Sequence, residues 1–123
     1  MSRVEITQNK GPEVITSIDQ EVQHGTNNLY SDAVNVRLYT LHSYQVITDQ
    51  SITVTIIGSN YTDPEKGTAS NDFASHWTTI STHNVTNTGL AYSDIWNFKY
   101  SCVLISNSSG SAANVKVLEK HNA

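Results

Sequence analysis

Residues 51–59 read SITVTIIGS, and this stretch decides the fold. Ile52, Val54 and Ile56 alternate with Thr53, Thr55 and Ile57. The period is two, and the residues are β-branched types that pack well on a pleated surface and are stiff in a helix. The pattern predicts a strand with one face in a core and the other partly covered near Ile57.

Working outward, residues 33–41 (AVNVRLYTL) place Val34, Val36, Leu38 and Thr40 on one predicted strand face, with Asn35, Arg37 and Tyr39 opposite. Residues 98–106 (FKYSCVLIS) put Phe98, Tyr100, Cys102 and Leu104 together, with Val103 and Ile105 on the reverse. Residues 113–118 (ANVKVL) alternate Val115 and Val117 with Lys116. This run is expected to pair with 98–106 through the polar turn Asn107–Ser111, with Gly110 available for a positive φ. Val4–Thr7, Val14–Val22, Trp77–Ser81 and Tyr44–Thr48 are shorter strand candidates. Residues 88–97 have room for one helical turn at most. No i, i+3, i+4, i+7 pattern persists for three turns. The expectation is an all-β chain: a single antiparallel β-sandwich or jelly-roll-like domain of about eight short strands over residues 1–123. Residues 61–75 (YTDPEKGTASNDFAS) lack apolar pattern and are expected to form a long loop.

Composition fits this reading. The chain has 123 residues, the size of one domain. Charged residues are only 15%, and Ser, Thr and Asn supply about a third of the chain. Ser and Asn compete with helical hydrogen bonds, whereas Thr suits strands. The net charge is −4, and the seven Lys and Arg are scattered, so the basic stripe of a nucleic-acid binder is missing. The lone Cys102 excludes an internal disulfide and a cysteine zinc site. The opening residues MSRVEI lack the apolar stretch of a signal peptide, and no apolar run approaches the ~20 residues of a membrane span. These features point to folding in a cytoplasm, with no membrane partner.

Residues that carry chemistry do not gather. His76 and His83, seven apart, would fall on opposite faces of one strand, and His24, His42 and His121 lie in separate segments. No H-x-H or H-x-x-x-H spacing occurs. Asp63, Glu65 and Asp72 share the long loop without an EF-hand pattern. No G-x-S-x-G, G-x-x-x-x-G-K or G-x-G-x-x-G is present, and Cys102 sits in an apolar strand. The reading is a chain that is not an enzyme and holds no cofactor and no metal. Trp77, Trp96 and Tyr61 remain as candidate contact residues, because aromatic faces stack on sugars and pack in interfaces.

Gly58-Ser59-Asn60 after the first strand, then His76-Trp77-Thr78-Thr79-Ile80, then Phe98-Lys99-Tyr100-Ser101-Cys102-Val103, then Asn107–Ser111 and Val115–Leu118, form an order of motifs. This order resembles the small β-sandwich virion proteins of tailed bacteriophages, the decoration (cement), head-fibre and tail-component type, over the C-terminal two thirds of the chain. Two departures stand out: the long loop after Asn60, and Cys102 where an aromatic or Arg often stands.

The resemblance implies a head decoration protein made in the host cytoplasm and located on the capsid surface. It implies major capsid protein and neighbouring copies of this chain as partners, in a homo-oligomer with a trimer favoured over a dimer. Residues 1–24 lie outside the resembling core and are expected as an extended N-terminal arm, with Arg3, Val4 and Ile6 as contact residues. Two alternatives stand beside it: a carbohydrate-binding module using Trp77, Trp96 or Tyr61, and a tail or baseplate adaptor.

Overall fold

The computed structural model describes residues 14–62, 64 and 76–123. These fold into nine strands in two antiparallel sheets: β1 (Ile15–Val22), β2 (Thr26–Tyr30), β3 (Val34–Asn35), β4 (Leu41–Thr48), β5 (Ile52–Ser59), β6 (Thr78–Val85), β7 (Leu90–Ile95), β8 (Tyr100–Asn107) and β9 (Ala113–Asn122). One sheet has the order β1-β9-β4-β7. The other has the order β2-β8-β5-β6, with β3 also paired to β8. The all-β sandwich expected from the alternating runs is the fold.

The alternation of residues 51–59 survives into the structure. Ile52, Val54 and Ile56 enter the main core between the sheets. The next residue, Ile57, faces the other way by the same alternation and enters a second cluster with Tyr30, Trp77, Cys102 and Leu104, flanked by Tyr100. The five-stranded sheet is thereby covered on both faces at β5 and β8. That explains why these two strands are apolar on both sides: Val103 and Ile105 face the main core while Cys102 and Leu104 face the second cluster.

Several expectations are corrected. Residues 33–41 do not form one strand. Val34–Asn35 pairs with β8, and the chain then turns before β4 begins at Leu41, with the Asn35 side chain accepting from the Arg37 amide at 3.2 Å and Tyr39 N–H donating to the Val36 carbonyl at 2.9 Å. The local Asx-type bond outcompetes the ladder, and Leu38 is left exposed. Residues 88–97 contain strand β7, not a helical turn. β8 and β9 do not pair with each other; they lie in opposite sheets, and the Asn107–Ser111 segment crosses between them. Gly110 has no positive φ; among the described glycines, Gly25 and Gly89 do. Asn107, fully buried, braces that crossing. Its amide donates to the Val22 and Ser111 carbonyls (2.9 and 3.0 Å), and its oxygen accepts from the Ser109 amide and hydroxyl (3.0 and 2.6 Å). Residues 15–22 of the expected arm are edge strand β1, paired with β9. The contact residues expected at Arg3, Val4 and Ile6 lie outside the described residues, as do the strand candidate Val4–Thr7 and, apart from positions 61, 62 and 64, the expected long loop.

The main core has two unlike ends. One is aliphatic: Val22, Val46, Ile52, Val54, Val85, Ile105, Val115 and Val117. At the other, His42, Tyr44, Ser101, Glu119 and His121 are all buried.

Candidate functional site

Two places in the fold bring functional groups together: the outer face of the four-stranded sheet, and the polar end of the core directly behind it. Both follow from strand alternation. On β4, residues 42, 44, 46 and 48 point inward, leaving Leu41, Ser43, Gln45 and Ile47 outside. On β9, residues 113, 115, 117, 119 and 121 point inward, leaving Asn114, Lys116, Leu118 and Lys120 outside.

Cross-strand register assembles the outer face into rows. Leu41 opposes Ile95, Ser43 opposes Ser93 and Gln45 opposes Ala91 between β4 and β7. Gln45 also opposes Leu118, and Ser43 opposes Lys120, between β4 and β9. Val14, Leu118, Ala91, Gln45 and Lys120 line a shallow groove of about 350 Å³. Val14 is exposed at this groove, and Leu41 (40% exposed), Ile47 and Ile95 (75% exposed) are exposed elsewhere on the same sheet face, with Leu38 exposed at the turn leading into β4. Single exposed apolar residues are ordinary, but several gathered on one sheet face mark a surface suited to contact. The functional groups there are methyls, hydroxyls, an amide and an ammonium, which suit adhesion and hydrogen bonding.

Behind this face, His42 opposes His121 and Tyr44 opposes Glu119 across β4 and β9. Three of them, His42, His121 and Glu119, form a hydrogen-bonded chain, and the Tyr44 ring packs edge-on against His121. His42 Nε2 meets the Trp96 carbonyl at 3.0 Å, and His42 Nδ1 meets His121 Nδ1 at 2.7 Å. His121 Nε2 meets Glu119 Oε1 at 2.9 Å. Glu119 Oε2 has no hydrogen-bond partner among the described residues. Tyr44 reaches across the sandwich to Ser101 Oγ at 2.7 Å. The Trp96 ring stacks flat on His42, with centroids 3.5 Å apart and planes at 12°. Burial lowers the His42 pKa, and the neighbouring His121 lowers it further; the Trp96 carbonyl, Asp94 and Glu119 act against this. Burial, reinforced by the adjacent Glu119, raises the Tyr44 hydroxyl far above its ordinary range.

This cluster does not have the shape of a metal centre. The His42 and His121 nitrogens face each other at hydrogen-bonding distance, and Glu119 meets the opposite nitrogen of His121, so the donors run in a line and do not converge. Among the described residues, no group of three His, Cys, Asp or Glu is placed to hold a metal ion.

The aromatic contact candidates are dispersed. Trp77 is 4% exposed in the outer cluster of the five-stranded sheet, so its ring presents no face to a partner. Trp96 packs against the main core and His42. Tyr61 alone is well exposed, stacked on His76 at 4.3 Å. Reading the sequence by spacing missed His42, Glu119 and His121. Their signal was present in the alternation: Val115-x-Val117-x-Glu119-x-His121 continues one face beyond Leu118, and His42-x-Tyr44-x-Val46 does the same on its neighbour.

No protein-family model matches the chain, and no significant match was found among curated proteins. Among solved structures the fold is similar to one described as the crystal structure of PirA, with a TM-score of 0.51 and 13% sequence identity, covering 85% of this chain and 92% of that one. At this identity the likeness shows the fold alone.

Proposed function

We propose that the chain is a structural protein of a tailed-phage virion, a non-catalytic head decoration protein that stabilises the capsid. In this reading it docks on major capsid protein and on copies of itself through the outer face of the β1-β9-β4-β7 sheet. The observation that carries the contact surface is the exposure of Leu41, Ile47 and Ile95 on the outer face of one sheet, with Leu41 opposite Ile95 and Val14 lining the groove on that face. The setting rests on the resemblance of the strand motifs to small virion sandwiches. Several such modest faces on one shell raise effective affinity without any chemical step.

The test is copy number in purified particles. Hundreds of copies per particle, lost on Ile95→Lys, support the reading. A dozen copies or fewer place the chain in the tail, and none removes it from the virion. One observation favours a second reading, a carbohydrate-binding module: Tyr61 is half exposed and stacked on His76. Saturable glycan binding that disappears in Tyr61→Ala would support it.

A further inference from the structure

The directions of the two hydrogen bonds of His42 follow from one atom. The Trp96 carbonyl can only accept, so His42 Nε2 carries a proton and donates. A neutral His42 then has a bare Nδ1, which accepts from the Nδ1–H of His121. His121 Nε2 is left facing Glu119 Oε1 at 2.9 Å, and a hydrogen bond there needs one more proton. It sits either on the carboxyl oxygen, giving a neutral acid and a neutral imidazole, or on Nε2, giving a carboxylate and an imidazolium. Both forms contain the same single proton and the same net charge of zero.

Either change in that count is unfavourable. Removing the proton leaves two acceptors facing each other and a net negative charge on side chains that are fully buried or nearly so. Adding one requires either His42 Nδ1, which would then point a second donor at His121, or Glu119 Oε2, which has no partner among the described residues and would leave the buried imidazolium uncompensated.

Among the other ionisable groups around the cluster, Asp94 alone favours a charged His42, and solvent screens it. Asp94 on β7 acts on His42 from an exposed position. Tyr92 on β7 donates to Asp94 and packs on His83 of β6. Tyr44 on β4 is held neutral, with Cys102 on β8 adding to the effect of burial and Glu119. Lys116 and Lys120 of β9 are exposed on the outer face.

We infer that the Glu119–His121–His42 chain is a built-in pH gauge: folding captures one shared proton, so that the fold is most stable near neutrality and weakens towards both acid and alkali. In the unfolded chain the imidazoles of His42 and His121 are free and together bind one proton at about pH 6.5, where each is half protonated. Below that value the unfolded chain holds more protons than the cluster, and stability falls as pH falls. Above it the unfolded chain holds fewer, and stability falls as pH rises. Each proton of difference changes the folding equilibrium about tenfold per pH unit.

Glu119→Gln isolates this effect. The glutamine amide donates to His121 Nε2 and completes the chain with no ionisable proton. Between about pH 5.5 and 8, unfolded wild type and variant bind the same number of protons, while the folded wild type holds one more. The ratio of their folding constants, from urea titrations of the full chain, is expected to shift about tenfold per pH unit in favour of the variant as pH rises. Parallel pH profiles would overturn the inference, because they mean an ionised Glu119 beside two neutral imidazoles. If Glu119→Gln fails to fold, imidazole nitrogen and carboxyl carbon NMR of the wild-type protein decides: one proton held between the Glu119 carboxyl and His121 Nε2 throughout this range is the expected result, and an ionised Glu119 beside a His121 protonated on Nδ1 alone is the result that overturns it. Titration of either ring near pH 6.5 would refute it.

Discussion

His42 and His121 face each other across β4 and β9 with their Nδ1 atoms 2.7 Å apart, so one ring must donate and the other accept. Replacing His42 by Ala removes the acceptor, the bond to Trp96 and the ring on which that indole stacks. We expect a loss of about 2–4 kcal/mol at pH 7 from the cavity and the unpaired groups. The sign of its pH dependence follows from the lowered His42 pKa. A base held neutral in the fold contributes fully above its unfolded value of about 6.5, and that contribution is lost as pH falls towards the lower folded value. The gap between wild type and His42→Ala should therefore narrow from pH 7 to pH 5 in urea unfolding. A constant gap would contradict it.

Asn107 accepts and donates four hydrogen bonds while fully buried, tying β1, β8 and the crossing to β9. Asn107→Ala leaves the Val22 and Ser111 carbonyls without that donor. A destabilisation of about 2–4 kcal/mol is expected by chemical denaturation. Asn107→Asp should be nearly as damaging, because a carboxylate cannot donate to either carbonyl.

Gly58 lies under the Phe98 ring. A Cβ at this position would stand 2.6 Å from Phe98 Cγ and 2.9 Å from Ile80 Cδ1. Gly58→Ala should lower stability by about 1–3 kcal/mol through overpacking. Combining it with Phe98→Leu should recover part of that loss, which a thermal melt of the double variant would reveal as non-additivity.

Ile95 is largely exposed, so Ile95→Lys should leave stability within about 0.5 kcal/mol of wild type. The same change should abolish self-association or shell binding through the outer face of its sheet. Sedimentation across a concentration series, read beside the melt, separates these two outcomes; unchanged association would remove this face from consideration.

The Cys102 thiol is buried and donates to the Ser31 carbonyl at 3.3 Å, while the Ser31 hydroxyl accepts from the Val103 amide at 2.9 Å. It should resist thiol reagents in the native protein and react at the rate of global unfolding. Rapid labelling of the folded chain would show that β2 and β3 open away from β8.

The sandwich was legible wherever one period-two run met one core. Residues 51–59 reveal both the strand and its face because branched apolar side chains mark the pattern without interruption. Residues 33–41 mislead because alternation says nothing about the Asn35 side chain, which turns the chain after two paired residues. The hairpin expected between β8 and β9 failed for a related reason: a short polar loop with a glycine suits a tight turn and a crossing between sheets equally well. Glu119 and His121 extend the alternation of β9, but a polar residue at a strand's end carries no sign of burial. Only their opposition to Tyr44 and His42 buries them, and that register is a property of two distant segments.

The order of strands in the sheets also bears on synthesis. β9 lies between β1 and β4, and β8 lies between β2 and β5, so the last two of the nine strands occupy interior places in both sheets. While a ribosome is still making this chain, β1 and β4 in one sheet, and β2 and β5 in the other, wait without the strand that joins them. Topologies dominated by such distant pairings fold slowly. Until residues 100–122 have left the exit tunnel, the waiting strands expose unpaired edges to which other chains can pair.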